Sequence, residues 1–244
     1  MISSSPKLRY SLAAVVLACL YAAPLWSQEL LTVTGRVEVA VVGKARGVEN
    51  RSAVVWLTPL NNSGVKFRDN PDSHLRLVQH GKAFEPHLLV VPVGAEVEFP
   101  NHDPFFHNVF SLFEGKRFDL GLYEAGGSRL VHFDRLGISY IFCNIHPEMS
   151  AVVIALSTPY YAVSNRSGEF SIGEVPPGRY MLQIWDEAAI PESLKSGSRE
   201  VTLSAAAQSL GVIHLTAAAP VRPPHKDKYG RDYDAPKPGN PIYH

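Results

Sequence analysis

The sequence predicts an all-β fold built as two sandwiches, and three observations carry that expectation. Short runs rich in β-branched and aromatic residues recur along the chain. Turn-forming residues punctuate them, with 18 glycines and 19 prolines among 244 residues, as in sandwiches and barrels. No run has the helical periodicity that a βαβ unit needs. With 45% hydrophobic and 19% charged residues, a chain of this length buries one large core or two smaller ones, and two separate strand-and-turn signatures favour two.

Residues 1–27 read as an export signal. Lys7 and Arg9 precede an apolar stretch at 12–20, and small residues follow in Tyr21-Ala22-Ala23-Pro24 and Leu25-Trp26-Ser27. The apolar stretch is too short to span a bilayer permanently, so cleavage near Ala22 or after Ser27 would leave a mature chain with no transmembrane span. The expected location is the periplasm. An alternative is lipid anchoring at Cys19 in Val16-Leu17-Ala18-Cys19, where Leu17 is unusual just before the small residue. Lysine plus arginine and aspartate plus glutamate each number 23; a balanced charge gives no basic patch for nucleic acid.

The first strands are expected at 31–37 and 52–57, with a loop at 41–50 between them and a turn-rich connection at 61–73. The run 88–99 carries the clearest sheet pattern. Leu89, Val91, Val93, Ala95, Val97 and Phe99 share one parity and Glu96 and Glu98 the other, while Pro92 and Val93-Gly94-Ala95 indicate a bend between two strands. Further strands are expected at 118–122, 128–133, 137–142 and 151–156. A second signature follows Pro159, with turns at 165–168 and 176–178 and strands at 169–172, 180–185, 200–203 and 210–215. The last segment, 218–244, has little apolar content to offset the entropy of ordering and is expected to be a disordered tail.

Chemistry concentrates in Cys143-Asn144-Ile145-His146-Pro147-Glu148-Met149, between the strands at 137–142 and 151–156. Cys143 is the only cysteine outside the signal, and an odd thiol in an oxidising compartment is a liability unless buried or ligated. A thiolate, two imidazoles and a weak axial thioether suit copper cycling between Cu(I) and Cu(II). The loop offers one imidazole, His146, and His107 in the segment 101–110 supplies the second. Taken singly, Met149 reads as core packing and Cys143 as an inert buried thiol. His74, His80, His87, His102 and His132 read as surface or supporting residues. His102 and Glu148 are the rivals for a place near the metal; Glu148 is assigned to solvent because Met149 completes the spacing. Zinc gains little from a thioether and has no redox use.

From about residue 82 to 156 the sequence resembles cupredoxins of the plastocyanin, pseudoazurin and amicyanin group. The resemblance rests on Phe84 and Pro86, Val93-Gly94, Phe99-Pro100-Asn101, His107-Asn108 and the Cys143 loop, whose C-x-x-H-x-x-M spacing looks most like the short loop of amicyanin. It implies a Greek-key sandwich holding one type I copper ion, with His107, Cys143 and His146 equatorial and Met149 axial. It further implies that the Asn108 side chain ties its strand to the residue after Cys143, here Asn144 where the group commonly has a hydroxyl residue, while the Asn108 N–H donates to the sulfur.

Asn165-Arg166-Ser167-Gly168-Glu169-Phe170 and Val175-Pro176-Pro177-Gly178-Arg179-Tyr180 resemble carboxypeptidase-regulatory-like or Cna-B-like sandwiches. Their opening pair resembles Thr34-Gly35-Arg36-Val37 and Ala53-Val54-Val55-Trp56-Leu57, which precede the copper unit. The expected organisation is a signal at 1–27, opening strands at 30–60, an inserted cupredoxin domain at 75–157, the rest of the regulatory-like sandwich at 158–217, and a tail at 218–244. Asp186, Glu187 and Glu192 read as a wet acidic loop, and no catalytic triad or phosphate loop is evident. The expected function is that of an exported, non-enzymatic one-electron carrier working with another exported redox protein, a cytochrome or a dehydrogenase. The alternative is a periplasmic protein that binds or delivers copper without relaying electrons.

Overall fold

The computed structural model describes residues 29–42, 52–61, 67, 74–112, 115–218 and 225–233. The expected signal with Cys19 lies outside the described residues, as does most of the segments 41–50 and 61–73. In chain order the strands are β1 Leu31–Val41, β2 Val54–Pro59, β3 Val78–His80, β4 Ala83–Glu85, β5 Leu88–Pro92, β6 Glu96–Pro100, β7 His107–Ser111, β8 Phe118–Tyr123, β9 Ser128–His132, β10 Gly137–Phe142, β11 Ser150–Leu156, β12 Tyr161–Val163, β13 Glu169–Val175, β14 Gly178–Trp185, β15 Arg199–Leu203 and β16 Ser209–Ala217. Among the described residues one short helix, α1 Pro191–Gly197, lies between β14 and β15. Among the described residues no helix is long and apolar enough to cross a membrane.

Strands from both ends of the chain share one core. One sheet has the order β13-β1-β16 and the other β12-β2-β14-β15. In β1 the alternate residues Leu31, Val33, Val37, Val39 and Val41 are buried, and they join Val55 and Leu57 of β2, Ile172 of β13, Leu182 and Ile184 of β14 and Ile213 and Leu215 of β16 in a single cluster. Two glycines permit the close approaches. A Cβ on Gly35 would sit 2.5 Å from the Phe170 ring, and one on Gly168, at φ +78°, would sit 2.1 Å from the Val37 carbonyl oxygen; only glycine fits either place.

The middle of the chain makes a second core. A five-stranded sheet of order β5-β11-β10-β7-β8 faces the β6-β9 pair, with the β3-β4 hairpin beside β6. Leu77, Phe84, Val91, Val97, Phe99, Val109, Phe133, Ile141 and Val153 fill the space between them, together with Cys143 and Met149. The result is a mostly-β sandwich, consistent with the cupredoxin-type layering that the sequence resemblance implies.

The two cores meet through sheet faces that are covered on both sides. In β11, Ala151, Val153 and Ala155 enter the middle core, whereas Val152, Ile154 and Leu156 turn to a third cluster with Val54, Val90 and Trp185. Val54 and Val55 of β2 divide in the same way. That is why 53–57 and 151–156 read as continuous apolar runs and not as alternating ones. At the margin of this contact the His87 ring bonds the Ser150 carbonyl at 2.9 Å and the Glu187 carboxylate at 2.8 Å.

The fold adds elements that the sequence did not mark and corrects two expectations, on Asp186 and on part of the tail. The segment containing His107 is a strand, β7, and all five of its residues are buried. Strands β3, β4 and β12 are three residues each, too short to show a period. Helix α1 was not expected either; its buried residues are Ser193 and Gly197, which leaves no apolar stripe to read. Asp186 is not in a wet loop: it is 1% exposed and accepts from the Ala188 and Ala189 N–H groups. Of the tail expected to be disordered, 219–224 and 234–244 lie outside the described residues, but 225–233 is packed against the middle sandwich.

Candidate metal centre

The ligand loop is the turn between the antiparallel neighbours β10 and β11, paired from Gly137–Ala155 to Phe142–Ser150. Cys143 therefore stands just past the last residue of β10 and Met149 just before the first of β11. The Met149 carbonyl accepts from the Cys143 N–H at 3.3 Å and its N–H donates to the His146 carbonyl at 3.0 Å, so the seven-residue loop folds back on itself. On the other flank, β7 runs antiparallel to β10 with Phe110 opposite Phe142. Continuing that register brings His107, three residues before Phe110, level with the loop.

His107, Cys143 and His146 present donor atoms that all lie within 4.8 Å of one another. Cys143 Sγ is 3.8 Å from Nδ1 of His107 and 3.8 Å from Nδ1 of His146, and the two Nδ1 atoms are 3.1 Å apart. Metal bonds of about 2.0 Å to nitrogen and about 2.3 Å to sulfur, opened to about 120°, put nitrogen and sulfur about 3.8 Å apart. The observed edges thus fit three donors around one ion. His107 and Cys143 are fully buried and His146 is 6% exposed. Met149, fully buried, shares the core cluster with Cys143.

The tautomer of His107 is set from behind. Its Nε2 lies 2.7 Å from Asp103 Oδ2, and an ionised carboxylate only accepts, so Nε2 carries the proton and Nδ1 keeps its lone pair toward the sulfur. Asp103 is itself fixed by the Gly81 N–H at 2.6 Å and the Lys82 N–H at 3.0 Å, donated from a turn in which both residues have positive φ. Burial opposes ionisation of Asp103, but these N–H groups and His107 outweigh it and hold the carboxyl below its ordinary range. The sequence reading missed Asp103, although it stands four residues before His107. Replacing it in Asp103→Asn is expected to weaken copper binding by about 10–100-fold, as loss of a partner behind a metal ligand does; competition titration with a chelator of known affinity measures it.

Burial raises the affinity of the Cys143 thiol for its proton, and the backbone N–H groups of Asn108, Ile145 and His146 act in the opposite sense. Burial, and then the neighbouring His107, lower the proton affinity of His146. A pocket that disfavours a bare thiolate and a protonated imidazole favours a cation that neutralises the one and takes the lone pair of the other.

The Asn108 side chain does not reach Asn144. Its Nδ2 donates to Asp119 on β8 at 2.7 Å, and Asn144 Oδ1 instead accepts from the Lys228 N–H at 2.8 Å. A charged acceptor on the adjoining strand outcompetes a neutral amide across the sheet. His102 and Glu148 are both exposed. The Phe105 ring packs on both imidazoles, with centroids 5.1 Å from His107 and 5.6 Å from His146.

A buried cysteine sulfur, two imidazoles and a nearby methionine match the ligand geometry of a type I copper site, and the domain that carries them is cupredoxin-like. No protein-family model matches the chain, and no curated protein matches it. Among solved structures it is similar to a copper-containing nitrite reductase from Thermus scotoductus, 25% identical over 34% of this chain, with a TM-score of 0.32. The matched part spans 22% of the reductase. It is also similar to a purple cupredoxin from Nitrosopumilus maritimus, 22% identical over 34% of this chain and 99% of that one, TM-score 0.31. A methionine-to-alanine variant of amicyanin in the Cu(I) state is 18% identical over 42% of this chain and 98% of that one, TM-score 0.33. The donor set, and not these likenesses, carries the copper reading.

Proposed function

We propose that the protein is an exported one-electron carrier in which His107, Cys143 and His146 hold copper equatorially and Met149 axially. The observation that carries this reading is the convergence of one sulfur and two imidazole nitrogens on a single buried point, each fixed by the fold. Copper bound there supplies a Cu(I)/Cu(II) couple. The residues do the rest. His107 is locked by Asp103, Cys143 is held between two strands, and the Phe105 ring stops both imidazoles from turning. Donors that cannot move keep the reorganisation between oxidation states small.

His146 is the only one of the three equatorial donors with any exposure; exposed Pro147 follows it in the chain, and exposed Phe106 follows Phe105, whose ring packs on the His146 imidazole. Phe105, Phe106 and Pro147 form the apolar patch on which an exported redox partner docks and through which the electron passes. We further infer that the copper sandwich is inserted into the outer, regulatory-like one, since strands on either side of it share a core. Copper delivery is the competing role, and it calls for an ion that leaves readily.

Two measurements on the copper-loaded protein separate these roles. An electron carrier gives a reversible one-electron wave and keeps its copper against excess chelator over hours; a delivery protein surrenders the ion within minutes. Met149→Gln exchanges a soft thioether for a hard oxygen donor and so favours Cu(II). The expected reduction potential is lower by about 60 mV or more, the equivalent of a tenfold change for one electron, and voltammetry reads it directly.

A further inference from the structure

We propose that residues 225–233 are a clamp that positions the ligand loop, with Lys228 as its central residue. This rests on the copper reading of the site. The Asn108 amide donates to Asp119 Oδ1 at 2.7 Å, Asp119 Oδ2 receives the Lys228 ammonium at 2.8 Å, and the Lys228 backbone N–H donates to Asn144 Oδ1 at 2.8 Å. The chain of bonds thus runs from the residue after His107 to the residue after Cys143. Strands β7 and β8 and the loop are tied together through a segment 84 residues away in sequence from Asn144.

Two more contacts reinforce it. The Tyr233 hydroxyl donates to the Cys143 carbonyl at 2.9 Å. The His225 ring stacks on Phe142, the residue before Cys143, at 4.1 Å between centroids, and Tyr233 meets His225 edge-on. Residues 142, 143 and 144 each have a partner in the clamp. The segment holds its own shape through Asp227, which accepts from the Tyr229 and Arg231 N–H groups and the Arg231 guanidinium. Lys228 has its proton affinity raised, first by its bond to Asp119. Burial works against ionisation of Asp119, but Lys228, Gly121 and Asn108 outweigh it and lower its proton affinity. The pair is therefore an ion pair across the neutral range.

Lys228 and Tyr233 are positioning residues, since they touch the backbone and neighbours of the ligands and not the donor atoms. The test uses the full chain with Lys228→Met and Tyr233→Phe combined, and Lys228→Arg as the charge-conserving control. In the metal-free protein, amide hydrogen exchange at 144–146 is expected to rise about tenfold or more while exchange in β1 and β14 of the outer core stays unchanged. In the copper-loaded protein, copper release to chelator is expected to accelerate about 10–100-fold, and the thiolate-to-copper band to shift. Lys228→Arg restores most of both. Exchange and release rates within twofold of wild type in the double variant overturn the clamp. Should wild-type protein give no thiolate band, the copper reading falls, while the exchange comparison on metal-free protein still decides whether the segment holds the loop.

Discussion

Cys143→Ser is expected to abolish the intense visible thiolate-to-copper absorption completely, and to leave Cu(II) with the ordinary electron paramagnetic resonance signal of a nitrogen and oxygen site. The colour of such a centre comes from covalent mixing of sulfur with the metal, and a serine hydroxyl neither ionises at neutral pH nor mixes comparably. The affinity loss should exceed the roughly 100-fold that removing a supporting partner costs, because the one anionic donor is gone from a buried site. The substitution is nearly isosteric. It places a hydroxyl among Phe99, Ile141 and Met149 in the middle core, where the N–H groups of Asn108, Ile145 and His146 that face the sulfur can bond it. Folding should therefore survive, with a loss of no more than about 1–3 kcal/mol for a buried polar group. Weak, colourless copper binding that is the same with and without the substitution would sink the copper reading.

The legible part of the chain was the part whose residues carry their own signal. A cysteine, a histidine and a methionine on one short loop are rare types at a fixed spacing, so the loop stood out before any fold was known. The strands buried on one face, such as β1 and β6, showed the period of two that marks them. What stayed hidden depended on partners distant in sequence. Asp103 matters because His107 folds back on it and a turn at Gly81 and Lys82 donates to it, and nothing in an isolated aspartate announces that. Residues 225–233 look like a polar tail because their ordering is repaid by Phe142, Cys143, Asn144 and Asp119 and not by an apolar core of their own. The expected tie between Asn108 and Asn144 failed for the same reason: the sequence shows which groups can bond, while the fold decides which of them meet.

Copper loading is expected to raise the thermal midpoint of the whole molecule by about 10 °C, including strands that never touch the metal. A ligand that binds only the folded state stabilises it by about 4 kcal/mol at a thousand times its dissociation constant, and in a chain of this size each kcal/mol moves the midpoint by about 2–4 °C. The donors all lie on β7 or on the loop between β10 and β11 of the middle unit, so a pair of independently folding units would show the shift in one transition only. Two features argue against independence. Val54 and Trp185 of the outer unit pack with Val90, Val152, Ile154 and Leu156 of the middle one, so unfolding either exposes apolar surface of the other. In addition, β2 ends at Pro59 and its sheet neighbour β12 begins at Tyr161; if the middle unit melts first, the outer core must close a loose loop of about 100 residues, at an entropic cost of order 4 kcal/mol. The middle unit, once folded, brings those two ends together and removes that cost. Calorimetry with and without copper, read beside the fluorescence of Trp56 and Trp185, checks the coupling. A copper-dependent shift seen only in the middle core, with the tryptophan transition fixed, would show that the two sandwiches fold separately.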